Sequence, residues 1–125
     1  MRRGLHHVAL ETRRADAQAC VDFFGLLGFE QVDPPPGLVD IALWAERDGL
    51  QLHFLFNEDP VIAPTAHVAV ICPEYAETQA RLRAAGFEVR EHEVHWGSPR
   101  CYVKDPAGHL VEVMEFPPGG GPPAR

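Results

Sequence analysis

The sequence predicts an α+β domain of two tandem β-α-β-β-β modules, whose strands form a cupped, mostly antiparallel sheet with the helices outside. Three observations predict it. The tetrapeptide His-Val-Ala-Leu at 7–10 returns as His-Val-Ala-Val at 67–70. A Gly-Phe-Glu triplet follows each copy, with Gly28 lying 21 positions after His7 and Gly86 lying 19 after His67. A helix-like stretch precedes each triplet, and three strand-like runs follow it. A repeat of this length is the mark of a duplicated supersecondary unit.

The elements follow in chain order. Val8 and Leu10 alternate with His7 and Ala9, as in a half-buried strand. A helix is expected over 16–27, with Ala17, Cys20, Val21, Phe24 and Leu27 on its inner stripe and Phe23 also in the core. Gly28 ends it in the left-handed conformation that helix termini commonly need. Strands are expected over 29–32, 38–45 and 50–56, the last two joined by the hairpin signal Arg47-Asp48-Gly49. Residues 58–65, with Pro60 and Pro64, form a linker, so the modules run over about 4–57 and 66–116 of a single domain, 1–116. In the second module a strand starts at His67. A helix over 75–85 should bury Ala76, Ala80, Leu82 and Ala85 and end at Gly86. Strands are expected over 87–90, 100–104 and 110–115, the last two joined by the turn Asp105-Pro106-Ala107-Gly108. The Pro/Gly-rich stretch 117–125 reads as a disordered tail.

Composition narrows the function. Of 125 residues, 46% are apolar and 23% charged, and the formal net charge is -7. An acidic chain is a poor partner for nucleic acid or an anionic membrane, which need a basic face. No apolar run approaches the roughly 20 residues of a membrane span, and no signal peptide follows the N-terminal arginines. Cys20, Cys72 and Cys101 are odd in number and widely spaced, which suits reduced, buried thiols in a cytoplasmic protein.

The chemistry lies in matched positions of the repeat. His7 opens the first module and His53 lies 46 positions on, in its last strand. His67 opens the second and Glu112 lies 45 positions on, again in the last strand. Alternation sets His53 opposite Leu52, Phe54 and Phe56, and Glu112 opposite Val111 and Val113. All four polar residues then point away from the helix-covered face. A carboxylate with neutral imidazoles suits one divalent ion: Zn, Ni, Co, Mn or Fe(II). A metal would also explain a buried glutamate, which is costly without a cation or donor. Trp96, Arg100 and Tyr102 occupy the segment 95–102 and are candidates to clamp an anionic or aromatic substrate. His6, His92 and His95 read as surface residues, and the face of Trp44 is open.

At these residues the chain resembles the vicinal oxygen chelate superfamily, which includes glyoxalase I, bleomycin-resistance and fosfomycin-resistance proteins, methylmalonyl-CoA epimerase and extradiol dioxygenases. The matching pieces are Leu5-His6-His7-Val8-Ala9-Leu10, Phe23-Phe24-Gly25-Leu26-Leu27-Gly28-Phe29, His67-Val68-Ala69-Val70 and Asp105-Pro106-Ala107-Gly108-His109-Leu110-Val111-Glu112. The resemblance implies a glyoxalase-like fold, a homodimer, and metal ligation by His7, His53, His67 and Glu112. Glyoxalase I usually has glutamate, and the epimerase glutamine, where this chain has His53. Dioxygenases and fosfomycin-resistance enzymes match His7, His67 and Glu112 and leave the fourth place open. Tyr102 matches a substrate-site tyrosine of fosfomycin-resistance enzymes, but Gly121 falls where those have an arginine. Bleomycin-resistance proteins resemble the stretches 49–54 and 96–97 and normally lack the metal ligands. No glutathione-binding set is recognisable.

Two functions are therefore expected. The first is a metal-dependent lyase or isomerase of the glyoxalase type, with dioxygenase next. It would chelate vicinal oxygens of a small substrate and stabilise an enolate-like or oxyanionic intermediate, with Glu112 or a metal-bound water moving the proton. The second is a metal-independent protein that binds a small molecule or antibiotic. It needs an aromatic trough but not the four ligand-type residues together.

Overall fold

The structure is a computed structural model that describes residues 4–95 and 97–117. The chain divides into two compact units, Met1–Ile62 and Ala63–Arg125. The first contains β1 (His7–Thr12), α1 (Arg14–Gly25), β2 (Glu30–Val32), a 3-10 turn (Pro36–Leu38), β3 (Ala42–Arg47) and β4 (Leu50–Phe56). The second contains β5 (His67–Ile71), α2 (Tyr75–Ala84), β6 (Arg90–His92), β7 (Arg100–Lys104) and β8 (Leu110–Met114). Each unit holds one four-stranded sheet, ordered β1-β4-β3-β2 and β5-β8-β7-β6. The first and last strands of each unit pair in parallel, and the other pairings are antiparallel. The repeat in sequence is thus a repeat in topology, and the fold is α+β.

The first helix forms because its apolar residues recur at three- to four-residue spacing. Ala17, Cys20, Val21, Phe23, Phe24 and Leu27 are all buried. Phe24 meets Phe29 and Phe54 at ring separations of 5.7 Å each, joining helix to sheet. Both helices end in the same way. Gly28 and Gly86 each take φ +93°. Phe29 N–H donates to the Phe24 carbonyl at 3.1 Å, and Phe87 N–H to the Leu82 carbonyl at 3.0 Å. These are the crossing bonds of a Schellman closure, which only a left-handed residue permits without strain.

The second helix departs from expectation. Its buried residues are Tyr75, Thr78, Gln79 and Leu82, while Ala76, Ala80 and Ala85 are exposed. The inner stripe is half polar and is satisfied internally. Thr78 Oγ1 donates to the Glu74 carbonyl at 2.8 Å, and Gln79 Nε2 donates to Tyr75 Oη at 3.1 Å. A buried polar group with a partner is tolerated, so the alanines could be left outside.

Other boundaries shift by a few residues. β3 begins at Ala42 rather than 38, because Pro34, Pro35 and Pro36 fix φ and remove donors, so a 3-10 turn precedes the strand. β6 covers Arg90–His92 rather than 87–90. Asp48 (φ 52°) and Gly49 (φ 82°) make the two-residue hairpin turn. In the β7–β8 turn, Asp105 accepts from the amides of Ala107 (3.0 Å) and His109 (2.9 Å). Cys20, Cys72 and Cys101 are buried thiols. Among the described residues no helix is long and apolar enough to cross a membrane. Beyond Pro117, the tail expected over 117–125 lies outside the described residues.

Candidate functional site

In the first unit, strand pairing gathers histidines on the sheet face away from α1. The Asp48-Gly49 turn pairs Arg47 with Leu50 and therefore Trp44 with His53. β1 lies on the other side of β4, with Ala9 beside His53. His53 is only 7% exposed. Its ring lies between two others: Trp44 at 3.9 Å and 3° on one side, His7 at 4.1 Å and 17° on the other. Its Nε2 is 2.9 Å from Gln51 Oε1. Gln51 Nε2 donates to Glu46 Oε1 at 2.9 Å. That fixes Gln51 Oε1 as an acceptor, so His53 Nε2 carries the proton and Nδ1 the lone pair. Burial pushes the His53 pKa below the ordinary imidazole value, and His7 and then His6 push it the same way. A neutral imidazole is the ligating form.

His6, read from sequence as a surface residue, joins this group. It is exposed, but its Nδ1 lies 2.9 Å from His7 Nδ1, one ring donating and the other accepting. The signal for Trp44 was available: a two-residue hairpin turn at 48–49 sets its register against His53. His6 carried no comparable signal, because it precedes the strand and alternation says nothing of its direction.

In the second unit, Glu112 stands at the centre of a polar group. It lies on β8 with Ala69 beside it on β5 and Tyr102 beside it on β7. Although only 4% exposed, it has three partners. His67 Nε2 is 2.9 Å from its Oε1, Tyr102 Oη donates to Oε1 at 3.3 Å, and Arg100 Nη1 donates to Oε2 at 3.3 Å. Arg100 is itself buried and also donates to Tyr102 Oη (3.2 Å) and the Glu93 carbonyl (3.4 Å). Burial is the main cause that pushes the Tyr102 hydroxyl pKa up, with the Glu112 charge next. His92, on β6, packs edge-on to Tyr102 at 4.8 Å.

His67 is oriented by its other nitrogen. Nδ1 lies 2.7 Å from the Thr65 carbonyl, which can only accept. In the neutral ring this leaves the Nε2 lone pair aimed at Glu112 Oε1, acceptor against acceptor. A proton or a cation belongs between them. A ligating histidine is commonly held in this way by a carbonyl on its second nitrogen.

Each unit thus brings its expected pair together: His7 with His53, and His67 with Glu112. Among the described residues no group of three or more His, Cys, Asp or Glu forms a ready metal cage. The donor types, neutral imidazoles and a carboxylate, fit a borderline divalent ion. Arg100 lies against Glu112, a less exposed place than a substrate clamp at a cleft mouth. The burial of Glu112 does not of itself require a metal, since Arg100 and Tyr102 supply donors. Trp96 lies outside the described residues.

The model of the glyoxalase/bleomycin resistance protein/dioxygenase superfamily matches residues 4–113. The chain belongs to that superfamily. Among solved structures, a glyoxalase family protein from Bacillus anthracis matches with TM-score 0.82 and 24% identity, covering 91% of this chain and 95% of that one. A fosfomycin resistance protein from Listeria monocytogenes matches with TM-score 0.72 and 19% identity, covering 94% of both chains. Lactoylglutathione lyase from Agrobacterium tumefaciens matches with TM-score 0.68 and 23% identity, covering 89% of this chain and 92% of that one. At these identities the likeness speaks for the fold. No curated protein matches the chain. The superfamily's description joins glyoxalases, bleomycin resistance proteins and dioxygenases under this one fold.

Proposed function

We propose that the chain is a metal-dependent enzyme of the glyoxalase/dioxygenase type, a lyase or isomerase, acting on a small molecule in the cytoplasm as a homodimer. His7, His53, His67 and Glu112 would be the ligands of one Zn, Ni, Co, Mn or Fe(II) ion. When bound, such an ion supplies positive charge to two neighbouring substrate oxygens as negative charge develops on them. The observation that carries the reading is His67, whose Nε2 lone pair faces Glu112 Oε1 at 2.9 Å while Thr65 holds Nδ1.

The chain's own residues have distinct parts. His53 is kept neutral by burial and held flat by Trp44 and His7. Arg100 and Tyr102 fix the plane of the Glu112 carboxylate. Glu112 is also the proton-moving group, since its Oε1 is the atom that His67 and Tyr102 share. Arg100 competes with any ion for that carboxylate and so tempers the affinity.

A second reading has its own support. The Trp44–His53–His7 stack is an aromatic floor, and Arg100 already balances Glu112. A metal-independent binding protein would need nothing more.

Metal content separates them. Protein purified without chelator or a polyhistidine tag should hold about one divalent ion per chain. His53→Ala and Glu112→Ala should lower it at least tenfold. No uptake after reconstitution with each of the five ions would overturn the metal reading and leave the second.

A further inference from the structure

A cleft of about 190 Å³ opens within the second unit, lined by Glu88, Arg90, Tyr102, Val103, Lys104 and Leu110. It adjoins Glu112 along the sheet. Tyr102 pairs with both Arg90 and Glu112, and Lys104 pairs with Leu110. Tyr102, Lys104, Leu110 and Glu112 therefore share one face, two residues apart along each strand. The cleft has a polar and an apolar part. Arg90 donates to Glu88 at 3.0 Å, an exposed pair that water screens, since both side chains are about three-quarters exposed. Lys104 makes no ion pair among the described residues. Two cations against one carboxylate leave one positive charge in a chain of net charge -7. Leu110 and the Tyr102 ring supply the apolar part.

We propose that this cleft seats the substrate of the site described above, and that the substrate is a small monoanion: a carboxylate on an apolar or aromatic body. The inference rests on the enzyme reading for the word substrate, but not for the binding. The carboxylate lies between Lys104 and Arg90, the body lies on Leu110 and Tyr102, and the other end reaches toward Glu112. Anion recognition falls to these two cations because the Arg100 guanidinium is taken up by Glu112, Tyr102 and the Glu93 carbonyl. The volume is below the roughly 300–1,000 Å³ of sites for drug-sized ligands, which suits a small metabolite.

Benzoate and its neutral isostere benzamide are the probes. Calorimetry on the full chain, in chelator so that no metal takes part, reads the affinity of each. Benzoate should bind about tenfold tighter than benzamide, the scale of a charge-assisted contact in a partly enclosed site. Lys104→Met and Arg90→Gln should each cut that ratio at least threefold, with unchanged thermal melting as a check on folding. Metal content should also stay unchanged in both variants. Loss of the metal site with retention of the benzoate preference would sink the enzyme reading and leave the cleft standing. Equal affinity for the two probes, no binding of either, or a preference that both variants retain would overturn the cleft.

Discussion

Arg100 and Glu112 are a buried pair whose members depend on each other. Arg100 is 8% and Glu112 4% exposed, so neither can turn to water. Removing one partner of such a pair leaves the other charge uncompensated, at a cost of about 3–5 kcal/mol. Arg100→Met should lose stability of that order in urea unfolding, and Arg100→Lys should recover part of it. A saturating divalent ion should shrink the loss, because a cation would again face the carboxylate. A loss below about 1 kcal/mol would show that Glu112 does not rely on Arg100. His53 makes a pH-dependent contribution of predictable sign. Its folded pKa lies below the ordinary value, so the unfolded chain takes up the proton first. That contribution is present above about pH 6.5 and is lost as pH falls through the depressed value. Between about pH 7.5 and 5, the wild type should therefore lose stability relative to His53→Gln in parallel urea titrations. A constant gap between the two would refute a depressed His53. At this scale the sequence named the four ligand-type residues by offset and alternation. It could not show that Arg100 is turned onto Glu112, since that depends on a guanidinium on β7 reaching across to β8.

The helices show where local pattern succeeds and where it misleads. α1 was legible because its stripe is strongly apolar, and a stripe containing Phe23 and Phe24 can face only one way. In α2 the pattern misleads, because alanines at helical spacing suggest a core that the structure does not place there. The energy gained by burying an alanine is small, and Tyr75, Thr78, Gln79 and Leu82 at the same spacing won because their polar groups find partners inside. The closing glycines were legible in both helices, since a positive φ is a demand of the backbone alone. At Gly86 an added Cβ would meet nothing within 4 Å, so the cost of a substitution there is purely conformational. Gly86→Ala should destabilise by about 1–2 kcal/mol, the penalty for a left-handed non-glycine residue. Equilibrium unfolding checks this, and a neutral substitution would mean that the helix end relaxes to another closure.

For the whole molecule, the test of a resident ion is its linkage to folding. An ion at about a hundredfold its Kd stabilises the folded state by about 2.7 kcal/mol. In a chain of this size that should raise Tm by roughly 10 °C. The shift should vanish in His67→Ala, while magnesium, which prefers oxygen ligands, should give little. A Tm unmoved by all five candidate ions would favour the metal-independent reading. What the sequence determined by itself was the duplicated architecture, the order of strands and turns in each unit, and the sheet face that carries His7, His53, His67 and Glu112. Those features follow from alternation and glycine placement, which act within a few residues, and from a repeat that presents the same local pattern twice. Tertiary structure alone decided the stacking of His53 between Trp44 and His7, the turn of Arg100 onto Glu112, and the cationic cleft along Tyr102 and Lys104. Each of these depends on side chains that meet across strands, where burial and the supply of partners, rather than local preference, set the outcome.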